Sequence, residues 1–128
     1  VETMFYAGAL TVVGAMAVMA RDSEGELDAR KSAYFEEAVI DMQLPEPIHL
    51  QALGLLPEPI PMHGLLVQAA SLTPDFQEGL LGNVWAVAWA DGDVDDREQR
   101  IFERFIAACG IPSEQVETIK AEWGDAQA

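Results

Sequence analysis

Five carboxylates stand within eight positions of the stretch WADGDVDDRE, residues 89–98: Asp91, Asp93, Asp95, Asp96 and Glu98. Carboxylates at alternate positions of a loop are the oxygen ligands that hard cations such as Ca2+ and Mg2+ take. Counted from Asp91, the first, third and fifth places of a calcium-binding loop are filled by Asp91, Asp93 and Asp95. The sixth place, which needs glycine, is Asp96, and the twelfth, which needs a bidentate glutamate, is Phe102. The loop is therefore not an EF-hand. Some of the same residues suit a purely structural task. Gly92 fits the left-handed position that closes a helix, Asp95 is a good N-cap, Asp96 complements the helix dipole, and Glu98 stands three residues after Asp95 as in a capping box. Asp91 and Asp93 have no such task. A cation site formed here would use Asp91, Asp93, Asp95 and Glu98, with the loop closing against a second acidic loop or a neighbouring helix.

Other chemistry finds little support. His49 and His63 lie in or beside a proline-rich connection, with no CxxC, HExxH or paired-histidine spacing around them. Cys109 falls on the apolar face of a helix, where a thiol acts as a small hydrophobe. No glycine-rich loop followed by Lys-Ser could cradle a phosphate. Trp85, Trp89 and Trp123, like Met4, Met16, Met19, Met42 and Met62, read as core or near-core residues. No catalytic constellation emerges, and the chain reads as a non-enzyme.

The elements that would position the acidic loop are helices. ARKSAYFEEAVIDMQ, after Asp28, places Tyr34, Phe35, Ala38, Val39 and Met42 on one face, with Arg30, Lys31, Glu37 and Asp41 largely elsewhere. The prolines of LPEPIHLQALGLLPEPIPMHG force a connection with at most one short helix, and another covers His63 to Ser71. Thr73-Pro74 starts a helix running to about Ala90. A helix from Asp96 to Cys109 is closed by Gly110, and Val116, Ile119 and Trp123 are spaced to pack inward from a last helix. Strand alternation is absent, so the class is all-α, with about six to seven helices in one compact domain.

Residues 24–45 align without gaps to residues 91–112 at an offset of 67, with identities that include Gly25 with Gly92, Asp28 with Asp95, Arg30 with Arg97 and Phe35 with Phe102. The chain reads as an internal duplication, residues 1–53 and 68–123, joined by the proline-rich segment 54–67. The first half places Glu24, Glu26 and Asp28 where the second has Asp91, Asp93 and Asp95, but Lys31 takes the place of Glu98 and weakens any ion site there.

Composition narrows the function. With 128 residues, half of them hydrophobic, the chain can bury a real core. A formal charge of −15, from 22 acidic and 7 basic side chains, repels nucleic acid and attracts cations or basic protein surfaces. A single cysteine forms no internal disulfide and gives no sign of an oxidising compartment. From Thr3 to Ala20 the chain is uncharged, which is the lower limit for a membrane span. Gly8 and Gly14 and the missing basic flank favour a buried core helix, and no basic region precedes the stretch as a signal peptide requires. The expected location is cytoplasmic or membrane-peripheral.

AWADGDVDDRE, an amphipathic helix, CGIPSEQ and a final helix together resemble the TerB-like family, named for a tellurite-resistance protein and also found as a domain in DnaJ-like co-chaperones. The resemblance extends over both halves, and the Asp91-Gly92 pair with Val94 and Glu98 carries it best. It implies an all-helical fold of two similar halves, a part in tellurite or general stress responses, and an acidic cluster for divalent cations. Asp91 and Glu98, with Asp93 and Asp95 nearby, would be its ligands, while Glu24-Gly25 and Lys31 depart from the pattern. Two functional readings follow. One is an acidic interaction module binding a divalent cation or a basic partner. The other is a helical small-molecule or lipid-binding protein with an apolar pocket.

Overall fold

A computed structural model describes residues 2–21, 24–90 and 92–124. They form seven helices: α1 (Glu2–Met19), α2 (Ala29–Asp41), α3 (Glu46–Gly54), α4 (Met62–Ala70), α5 (Pro74–Ala88), α6 (Asp96–Cys109) and α7 (Ser113–Gly124). The only β-type pairing among the described residues is an isolated bridge between Arg21 and Leu27, so the fold is all-helical as expected.

The two apolar helices α1 and α5 pack on each other and form the centre of the molecule. Val13, Ala15, Met16 and Met19 of α1 and Leu80, Leu81, Val84 and Val87 of α5 are buried in one cluster. The long uncharged stretch is thus a core helix, and among the described residues no helix is long and apolar enough to cross a membrane. Amphipathic helices cover this pair. Phe35 and Val39 of α2, Phe102 and Phe105 of α6, and Val116 and Ile119 of α7 point inward. Met42 and Met62 are half-buried, and the side chain of Met4 lies outside the described residues.

Local sequence sets the helix ends. Thr73 accepts from the Phe76 amide at 3.4 Å ahead of Pro74, and Gly110 closes α6 with φ 68°. The proline-rich connection holds α3, the one short helix allowed for it. Gly25 and Gly92 are both left-handed, at φ 83° and 89°, but they turn the chain inside the loops that follow α1 and α5 instead of closing those helices. α5 ends earlier, at a right-handed Trp89, and the Gly92 amide reaches back to the Trp89 carbonyl at 2.9 Å.

Candidate functional site

Both acidic loops feed directly into a helix N-terminus, and their carboxylates follow that geometry. Asp28 caps α2, accepting from the Lys31 amide at 3.0 Å, and Asp95 caps α6, accepting from the Glu98 amide at 2.7 Å. The second loop completes the capping box, because Glu98 Oε1 accepts from the Asp95 amide at 3.1 Å. Asp93 is exposed and accepts from the adjacent Val94 amide. Asp96 sits in the first turn of α6 and faces solvent. Glu24 and Glu26 are exposed on the first loop. Asp91 lies outside the described residues.

The remaining oxygen of Glu98 has an unexpected partner. Lys31 Nζ stands 2.5 Å from Glu98 Oε2, with the two side chains only 3% and 2% exposed. Sequence periodicity put Lys31 on the polar side of α2, and that expectation is corrected here: Lys31 is buried between α2 and α6, against Glu98. Burial pushes the Glu98 carboxyl above the ordinary glutamate range, against the opposing influence of Lys31 and the Asp95 amide. The loops are tied further by arginine. Arg21 donates to the carbonyls of Gly25, Leu56 and Pro57, and Arg97 donates to the Arg21 carbonyl at 3.1 Å.

A divalent ion needs several carboxylate oxygens free to converge. Glu98 has both of its oxygens engaged and Asp95 is capping. Among the described residues no group of three or more His, Cys, Asp or Glu side chains is placed to hold a metal. Lys31 delivers the positive charge to Glu98.

Burial raises the Cys109 thiol, which sits 3.9 Å from the Ala69 carbonyl and stays protonated at neutral pH. His63 is exposed and His49 half-buried. Trp85 is core, packed at 4.8 Å from Phe102 with Lys120 Nζ 4.7 Å above its ring, and Trp89 is half-buried beside it. Trp123 is half-buried and packs against the core, as a near-core residue should. It packs flat on Gly82 and borders an open groove between α2, α5 and α7.

That groove consists of two adjoining depressions, of about 550 Å³ and about 330 Å³, which share Met42 and Asn83. Tyr34, with its phenol pushed up by burial and by Glu37 and Asp41, lies at one end, and Phe76 with Asp75 lies at the other. The half-apolar face of α2, with Tyr34, Ala38 and Met42, was legible in the sequence as a packing face, but its openness was not.

Comparison with curated proteins gives no match, and comparison with solved structures gives none either. A family model does match, over α4 to α7, including the Asp95 cap and Glu98. From residue 66 to residue 121 the chain matches the model of the family described as tellurite resistance protein TerB.

Proposed function

We propose that the chain is an acidic helical adaptor, acting in a tellurite or general stress response, which docks on a basic surface of a partner protein in the cytoplasm or at the membrane periphery. The observation behind this reading is the direction of the charges. Of the seven basic side chains, Arg21, Lys31, Arg97 and Lys120 are turned onto carbonyls, a buried carboxylate or aromatic rings of the chain itself. The acids point the other way: among the described residues Glu98 is the only buried carboxylate. The solvent-facing surface is thus more negative than the composition alone implies, and a basic partner is its natural complement. The TerB-family match over residues 66–121 supports a part in stress responses and a binding rather than a catalytic role.

The test is titration of the metal-stripped protein in two arms. One arm uses a partner recovered by photo-crosslinking in cells and then purified, and the other uses Ca2+, Mg2+ and Mn2+. The adaptor reading expects one-to-one binding whose affinity falls about tenfold or more as salt is raised through the physiological range. Salt-insensitive binding would count against it. Saturable binding of a divalent ion, abolished by Asp91→Asn with Asp93→Asn, would replace it with a cation-regulated loop.

A further inference from the structure

The seat that α4 occupies has an open counterpart elsewhere on the molecule. α4 lies against α1 and α6. Thr11 Oγ1 donates to Gln68 Oε1 at 3.1 Å, the Leu65 side chain fills the space above Gly14, and Cys109 Sγ contacts the Ala69 carbonyl. At the offset of 67, α1 corresponds to α5, α2 to α6 and Met42 to Cys109. The corresponding seat therefore lies against α5 and α2, and no helix of the described residues occupies it. What lies there is the groove, with Met42 on α2, Phe76 and Gly79 on α5, and Val12 on α1.

The rims of the two seats differ in charge. α4 itself, MHGLLVQAA, carries no Lys, Arg, Asp or Glu. The open groove has Glu37, Asp41 and Asp75 on its lining, where the corresponding positions of the filled half are Arg104, Ala108 and Gly8. No lysine or arginine lines either depression. We propose that this groove receives a basic amphipathic helix from a partner protein, seated as α4 is seated on the other half. Its apolar side meets Met42, Phe76 and Trp123, and its lysines or arginines meet Glu37, Asp41 and Asp75. Methionine and aromatic walls adapt readily to such helices. A second copy of this acidic chain would bring like charge to the same rim, which disfavours it as the occupant. The proposal rests on the basic-partner reading above and gives that partner a shape and a place.

The probe is a helix-stapled synthetic peptide of the α4 sequence carrying His63→Lys, Val67→Lys and Ala70→Lys, three of the four positions exposed on α4. A second peptide carries Glu at the same three places. Binding to the full chain is read by anisotropy of the labelled peptide. Nothing lies within 4 Å of a Cβ built at Gly79, so Gly79→Phe fills the groove without meeting the core, and Gly79→Ala leaves it open. The expected result is one-to-one binding of the lysine peptide, kept by Gly79→Ala and weakened about tenfold or more by Gly79→Phe. Glu37→Gln with Asp41→Asn should weaken it severalfold, and this second variant decides the matter if Gly79→Phe does not fold. The glutamate peptide should not bind. Salt-dependent binding indifferent to both variants would overturn the groove and leave the basic-partner reading standing. Equal binding of both peptides would overturn the basic occupant, and no saturable binding of the lysine peptide would overturn the proposal outright.

Discussion

Lys31 and Glu98 place two opposite charges where almost no water reaches them, and each depends on the other. Removing one partner leaves an uncompensated buried charge, so Lys31→Met should cost about 3–5 kcal/mol in urea unfolding at neutral pH. Lys31→Met combined with Glu98→Leu should be clearly less destabilised than the single variant, because the desolvation cost disappears with the second charge. A double variant worse than the single one would show the pair contributing net stability. Acid behaviour gives a separate check. The folded-state pKa of Glu98 is raised above 4.5, so the folded chain holds that proton more tightly than the unfolded chain. The stability of the natural chain relative to Glu98→Gln should therefore fall as pH rises from about 4.5 through the raised value, then stay level. A relative stability that climbs with pH over this window would contradict it. The capping role of Glu98 was legible from its three-residue spacing to Asp95, a purely local signal. The burial of Lys31 was not, because its partner lies 67 positions away and nothing in the helical period of α2 encodes it.

The helices were legible to within a few residues because their caps are written locally: Thr73-Pro74, Asp28 and Asp95 each declare a start. Their ends were less uniform. Gly110 closes α6 at φ 68°, and the residue at the corresponding end of α2 is Gln43, also left-handed at φ 53°. Glutamine gives no sequence sign of that conformation. Its Cβ makes the left-handed turn costly, so Gln43→Gly should stabilise the chain by about 1 kcal/mol, and Gly110→Gln should destabilise it by a similar amount in thermal unfolding. The α5 glycines looked alike in the sequence but differ in surroundings. A Cβ at Gly82 would come within 2.2 Å of the Trp123 ring, whereas one at Gly79 meets open space. Gly82→Ala should therefore lower stability by about 1–3 kcal/mol through overpacking. Gly79→Ala should raise it by about 0.5–1 kcal/mol through helix propensity. Two effects of the same sign would disprove the contrast.

For the molecule as a whole, the dominant quantity is a net charge of −15 on 128 residues. Self-repulsion of that size opposes the compact state, and salt screens it. The melting temperature of the free chain should rise as sodium chloride goes from about 10 to about 300 mM, with a Debye length shrinking from roughly 30 Å to below 8 Å. A melting temperature that falls with salt would mean that the internal ion pair and the arginine clasps outweigh surface repulsion. The all-helical class and the burial of the first helix followed from composition and periodicity. The groove could not be read that way, since an apolar helix face looks the same whether a neighbour covers it or not. The inward turn of the cations also affects proteolysis. The chain has two lysines, and Lys31 is sealed against Glu98 while Lys120 lies over Trp85 and Phe102. A lysine-specific protease therefore has almost no substrate on the folded molecule, and cleavage after Lys31 would time the moment at which α2 and α6 part.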